Sequence, residues 1–319
     1  MTDNSTDIIS LECDKSFNET WEILKYIGSV FYLIPGFILH ILILKSILVT
    51  ERKYFKDSSF FGIFVMDSVA STYLLLSDIC FSRLFLYVPP LCPLISPFFF
   101  SPSLILNFYY ITTIHARLLK PIAQIFMVLN RMSCVLMPMS YSNLWKKLFP
   151  FVVILVVLGP FGGTWNVIIY RVYVIPSYGG FAVSYQKSVK WAALSLFQSI
   201  YIITALIFTV ICTSITLFKL IFLPDRLKSA ERSLCFTSIF ISMAFLLVAA
   251  TTLCYVFCPT CVMEDWLFNA QYLAFDFLNV GSAVIMIMTN DQLREAIFPS
   301  GRRETRAFQR SSNNSSFHT

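Results

Sequence analysis

Five ionisable side chains fall inside stretches of sequence that are otherwise apolar: Asp67, Asp78, Arg117, Lys120 and Asp276. A charge in hydrocarbon costs on the order of several kcal/mol, so each needs a partner or a purpose. Acids and bases mixed in this way suit ion pairing and the recognition of a charged small molecule. They do not suit hydrolysis or group transfer. No Ser/His/Asp set and no phosphate-cradling glycine loop accompanies them, and His40, His115 and His318 form no cluster. Cys258-Pro259-Thr260-Cys261 has the spacing of a metal or redox pair, but nothing nearby supplies further ligands. Outside a cell such cysteines are more simply disulfide partners. No catalytic residue, cofactor or metal is therefore assigned.

The elements that must position these charges are membrane spans. Of 319 residues, 57% are hydrophobic and 13% charged, and mean hydropathy is +0.71. A soluble domain of this size needs far more charge to cover its surface. A hydrocarbon core of about 30 Å needs roughly 20 apolar helical residues. Runs of that kind extend over 26–49, 60–82, 108–132, 148–170, 191–217, 234–257 and 266–288. The expected fold is an all-α, seven-transmembrane helix bundle over residues 26–298, preceded by an external segment 1–25 and followed by a disordered cytoplasmic tail 299–319. The proline-dense stretch Pro89-Pro90-Leu91-Cys92-Pro93, with Pro97 and Pro102, is expected outside and non-helical, folded over the mouth of the bundle. Residues 290–298 read as a short interfacial helix. Gly159-Pro160-Phe161-Gly162-Gly163 reads as a kink and close-packing point in the fourth span.

Lys and Arg set the orientation. With the N-terminus outside and the C-terminus cytoplasmic, 16 of the 24 fall in inner segments and six, Arg83 among them, in outer ones. A net charge of +6 on such a chain gives no reason to invoke nucleic acid; its surroundings are the lipid bilayer. The first 25 residues contain no signal-length apolar stretch, so the first span is expected to act as signal-anchor. Asn4 and Asn18 each stand in a glycosylation triplet. Cys13, Cys92, Cys258 and Cys261 then share an oxidising compartment, and Cys92 is expected to pair with one of the other three. At about 1.5 Å per residue, Lys120 lies roughly 16 Å above Arg131, and Asp276 roughly 20 Å above the inner end of its span. A mid-membrane pair of Lys120 with Asp276 is expected, with Asp67 as the alternative acid. Arg117, Lys120 and Asp276 are the expected ligand-binding residues, and Asp78 is expected at the membrane interface.

Further residues narrow the class. The third span ends in Asn130-Arg131-Met132-Ser133-Cys134-Val135, followed by Pro138, Tyr141 and Leu144-Trp145-Lys146. Ser229-Ala230-Glu231-Arg232 precedes the sixth span, and Pro89 to Pro93 follow the second. Together these resemble the nematode serpentine receptor class gamma family of chemoreceptors, from about Ile23 to Phe298. The resemblance implies a multi-pass receptor of the cell membrane that takes a small-molecule ligand, of odorant or pheromone type, in the outer half of the bundle. It also implies signalling through a heterotrimeric G protein. Arg131 stands where rhodopsin-like receptors carry an acid-Arg-aromatic motif; Asn130 cannot supply the acid, so Glu231 is expected to restrain Arg131 as the coupling switch. The same buried charges would also suit an ion or solute transporter or channel, and a membrane accessory protein without a ligand would share the span count. Lack of internal repeats weighs against the transporter.

The orientation predicts that an N-terminal tag stains on intact cells. A glycosidase-sensitive mobility shift should disappear when Asn4 and Asn18 are both changed to Gln. Staining only after permeabilisation would reverse the topology.

Overall fold

The computed structural model describes residues 13, 16–100, 103–169, 172–186, 193–221, 225–258 and 265–298. Asn4, Cys261 and the tail 299–319 lie outside the described residues. Helix α1 (Glu19–Lys45) starts at Asn18, whose side chain accepts a hydrogen bond from the Trp21 N–H at 3.3 Å, with Glu19 and Glu22 in the first turn. It continues through a π turn (Ser46–Thr50) to the short α2 (Arg52–Phe55). The second span is α3 (Ser59–Ser77), a π turn (Asp78–Ser82) and α4 (Arg83–Tyr87). After α5 (Cys92–Phe100) come α6 (Leu104–Leu136) and α7 (Tyr141–Leu158), which is followed by α8 (Phe161–Ile169). A hairpin of β1 (Val172–Ser177) and β2 (Gly180–Tyr185) precedes α9 (Leu194–Ile221), α10 (Asp225–Phe257), α11 (Asp265–Thr289) and α12 (Asp291–Ile297).

Six of these helical segments are long and apolar enough to cross a membrane, and α10 carries a further apolar stretch, Ile239–Cys254. Helices dominate because hydrocarbon offers no partner for backbone N–H and C=O groups, which a helix satisfies internally. Neighbours run α1, α3, α6, α9, α10, α11 and back to α1, with α7 and α8 packed outside α6. One apolar core joins Ile43, Phe61, Phe64, Met127, Trp145 and Leu293 at the end bearing α12, the tail end. Another joins Leu106, Tyr109, Val167, Val174, Phe181 and Leu194 at the hairpin end.

Two expectations need correction. The second span does not stop at Ser82: helix continues to Tyr87, so Arg83 belongs to the bundle and is only 3% exposed. The proline stretch is largely helical. Pro89–Leu91 form one turn of 3-10 helix, and α5 contains Pro97. Pro89 and Pro90 in the 3-10 turn and Pro93 in the first turn of α5 cost little, because those N–H groups have no intrahelical acceptor to lose, whereas Pro97 lies inside α5 and forgoes a bond to the Pro93 carbonyl. At Gly159 and Pro160 the fourth span does break, between α7 and α8, and the Gly159 carbonyl accepts the Tyr201 hydroxyl at 2.8 Å beside the Gly162 N–H at 3.1 Å.

The hairpin was not anticipated. Its strands pair antiparallel from Val172↔Tyr185 to Ser177↔Gly180. Tyr178 and Gly179 both have positive φ, 54° and 77°, as a two-residue hairpin turn of the primed type requires. Tyr178 is held in that uncommon conformation by its ring, which stacks on Phe268 at 5.5 Å between centroids. The Tyr185 hydroxyl accepts the Leu194 N–H at 2.7 Å and so caps the start of α9; burial pushes this phenol up from its ordinary pKa. Cys92 is fully buried beside the hairpin and bonded to Cys13, which ties the N-terminal segment to α5. Cys258 is disulfide-bonded as well.

Gly180 lies directly against α4: a Cβ there would stand 2.1 Å from the Phe85 carbonyl oxygen. Gly180→Ala should therefore destabilise the folded protein by about 1–3 kcal/mol, as overpacking does. Gly28→Ala meets nothing within 4 Å and should be neutral or stabilising. Melting temperatures of the purified variants in detergent check both; an unchanged Gly180→Ala would mean that hairpin and α4 are not in contact.

Candidate ligand-binding site

Helical spacing brings the interior polar residues onto single faces. On α6, Thr113, Arg117, Lys120 and Gln124 recur every three or four residues and line one side. On α11, Phe268, Tyr272, Phe275 and Asn279 do the same. The second span needs a special device. In an α-helix, residues five apart point about 140° away from each other. The π turn closes a hydrogen bond from the Arg83 N–H to the Asp78 carbonyl, which swings Asp78 and Arg83 to the same side. Both are buried.

Three acid–base pairs result. Nearest the hairpin end, Arg83 meets Asp276 at 2.5 Å; Tyr32 of α1 donates to the same carboxylate oxygen at 2.5 Å and accepts from Arg83 at 3.0 Å. The Arg83 guanidinium also lies 4.9 Å from the Tyr272 ring centroid. Arg117 faces Asp78 at 3.6 Å and lies 5.0 Å from the centre of the Phe275 ring. Deeper in, Lys120 pairs with Asp67 at 3.0 Å and donates to the Ser71 hydroxyl. Beside that last pair, His40 sits between the Ser68 hydroxyl and the Asn279 carbonyl, 2.8 Å from each. A carbonyl can only accept, so Nε2 donates to it, and the neutral ring then accepts from Ser68 through Nδ1.

Lys120 thus does not pair with Asp276. Helix α6 packs along α3, which presents Asp67, while α11 packs against α1 and α10 and directs Asp276 to Tyr32 and Arg83. Nor is Asp78 an interface residue, being 2% exposed and paired with Arg117.

Of the three expected ligand residues, Arg117 alone lines the cavity beneath the hairpin. The cavity encloses about 150 Å³. Phe181 of β2 roofs it, Tyr109, Tyr110 and Tyr272 wall it, and Arg117 and Thr113 reach it from α6. Arg117 keeps 21% of its side chain exposed where Asp78 keeps 3%. The buried Thr113 hydroxyl has no hydrogen-bond partner among the described residues. Lys120 and Asp276 lie outside the lining and are engaged in ion pairs.

At the tail end, Asn130 is fully buried; its amide donates to Ser59 at 2.8 Å and its carbonyl accepts the Tyr141 hydroxyl at 2.9 Å. It therefore ties α6 to α3 and α7. The Trp145 indole N–H donates to Ser133 at 2.6 Å. Arg131 lies over the Phe60 ring, 3.6 Å from its centroid. Glu231 falls within α10, and its side chain lies outside the described residues.

A bundle of membrane-crossing helices, with a roofed cavity at one end and neutralised charges through its middle, is the architecture of a serpentine membrane protein. The family model described as "Srg family chemoreceptor" matches residues 26–297, and the chain belongs to that family. It is 54% identical to serpentine receptor class gamma-15 of Caenorhabditis elegans, over 99% of each chain. To serpentine receptor class gamma-16 of the same organism it is 52% identical, over 92% of this chain and 90% of the relative. To class gamma-5 it is 41% identical over 94% of each. Members of this family are receptors rather than enzymes, and the chain is a multi-pass membrane protein.

The pairing predicts which charge deletions compensate each other. Breaking a buried pair on one side costs about 3–5 kcal/mol. Lys120→Met and Asp67→Asn should each reduce surface delivery, and the double variant should recover it. Lys120→Met with Asp276→Asn should be worse than either alone. Surface immunolabelling at matched expression reads the cycle; recovery in the 120/276 double and none in the 120/67 double would refute the pairing.

Proposed function

We propose that this chemoreceptor binds a small acidic organic molecule in the cavity beneath the hairpin and signals through a heterotrimeric G protein at the opposite end of the bundle. The observation that carries the reading is the Arg117 guanidinium in an aromatic-walled cavity, backed rather than covered by Asp78. A carboxylate of the ligand would take the donors that Asp78 meets only at 3.6 Å, with the Thr113 hydroxyl as a further donor. The apolar part would lie among Tyr109, Tyr110, Phe181 and Tyr272. A cavity of about 150 Å³ accommodates a benzene-sized group, which sets the scale of that part.

The hairpin end faces outside in this reading. Supporting it are the bias of Lys and Arg toward the other end and the disulfide-bonded state of Cys13, Cys92 and Cys258, which suits an oxidising compartment. Binding shifts a pre-existing equilibrium between bundle states. Arg117 reports ligand occupancy to the neighbouring ion pairs, and the tail end, where Arg131 and Glu231 form the coupling switch, admits the G protein. Lys120 and Asp276 serve the bundle by holding α3 and α4 in place rather than by touching ligand.

The test is a calcium or second-messenger response in cells that express the chain and are challenged with fractionated acidic metabolites. Removing Arg117 alone would strand Asp78, so the informative variant is Arg117→Gln with Asp78→Asn, which keeps the site neutral. A charge-assisted hydrogen bond is worth about 1.5–3 kcal/mol. The double variant should reach the surface and need roughly 10- to 150-fold more ligand. An unchanged dose response would remove Arg117 from the site, and solute flux in liposomes holding the purified protein alone would favour transport instead.

A further inference from the structure

A second cavity, of about 450 Å³, opens at the tail end between the π turn after α1, the short α2, and the first turns of α3 and α7. Its volume lies within the range of small-molecule sites. Arg52, Lys56 and Lys146 line it and are exposed. Among the described residues none of the three has an ion-pair or side-chain hydrogen-bond partner. Asp57 also lines it, which leaves the group with a net positive charge.

The rest of the lining has the opposite character. Leu48 is 50% exposed, Val65 and Phe149 are half-buried, and all three line the cavity. The Phe149 ring rests on Gly62 so closely that a Cβ at Gly62 would stand 2.6 Å from it. A cationic mouth running into an apolar wall between two spans matches a molecule with an anionic head and a hydrocarbon tail. A free phosphate would use only the mouth. The location agrees, since these cations stand where the apolar runs of α1 and α3 end, which is the level of the lipid headgroups.

The geometry points to a site for an anionic phospholipid, with its headgroup phosphate among Arg52, Lys56 and Lys146 and an acyl chain along Leu48, Val65 and Phe149. Basic pockets between membrane helices take such headgroups by charge-assisted hydrogen bonds from Arg and Lys. Occupancy would hold the loop bearing α2 against the starts of α3 and α7, next to the Ser59–Asn130–Tyr141 contacts. This site is separate from the hairpin cavity and does not depend on what binds there.

The experiment uses the full-length receptor in phosphatidylcholine nanodiscs, titrated with a fluorescent phosphatidylinositol bisphosphate and, separately, with soluble inositol trisphosphate. R52Q/K146Q removes two cavity charges. K53Q/K147Q removes two neighbouring charges that do not line the cavity. At about fivefold per headgroup-level cation, R52Q/K146Q should bind the lipid roughly 25-fold more weakly. K53Q/K147Q should differ from wild type by less than about threefold, and the soluble headgroup should bind far more weakly than the lipid. Equal losses in the two variants would reduce the effect to general surface charge and overturn the site. Equal affinity for lipid and soluble headgroup would overturn the lipid assignment in favour of a plain phosphate site.

Discussion

The bundle depends on one electrostatic constraint: among the described residues, each charge buried between the spans meets its opposite. Arg83 with Asp276, Arg117 with Asp78 and Lys120 with Asp67 satisfy it in sequence from the hairpin end inward. Each pair joins different spans, so neutrality and helix arrangement are one requirement. Helix α3 with its π turn and α4 supplies a member to all three pairs, which makes the second span the hub of the bundle. Buried pairs are weak sources of net stability but heavy penalties when broken. Their value here lies in specifying which helices meet and at what height.

The three pairs are not equivalent. Lys120 is 2% exposed and is closed off by Asp67 and Ser71. Arg83 is buried and engages Asp276 and Tyr32 through both terminal nitrogens. Arg117 is the loosest, at 3.6 Å from its acid and partly open. A ligand can therefore compete for Arg117 at far smaller cost than for the other two. The hairpin that roofs this position is itself anchored three ways, by the fit of Gly180 against α4, by the ring of Tyr178, and by the disulfide-tied helix α5 beside it.

Much of this was legible from residue types alone. Seven apolar runs declare the spans, and the rarity of charge inside them singles out Arg117, Lys120, Asp67 and Asp276. The partners were not legible, because periodicity reports which face of a helix is buried and not which neighbour it meets. Lys120 had two acids at compatible depth, and only the packing of α6 on α3 decides for Asp67. Arg83 was hidden for another reason. A charged residue reads as the end of a span, whereas Leu84 to Val88 are apolar and the helix continues through Arg83, which finds its acid inside. The hairpin did leave a signal. Apolar residues alternate at Val172 and Val174 and again at Phe181 and Val183, around a Tyr-Gly turn, in a stretch too short to be a span.

The π turn at Asp78–Ser82 has a consequence for how this receptor can change over generations. Relaxing it to regular α-helix with every residue kept would turn everything beyond it by roughly 100° and push it out about 1.5 Å. Arg83 would swing away from Asp276, and the surface of α4 that receives Gly180 would turn aside with it. If ligand binds in the cavity as proposed, side chains elsewhere in its wall can be exchanged one at a time, retuning which molecules are sensed. The π hydrogen bond of this turn cannot be exchanged in that way, so diversification in ligand preference is expected to proceed by substitution in the cavity wall and to keep the turn.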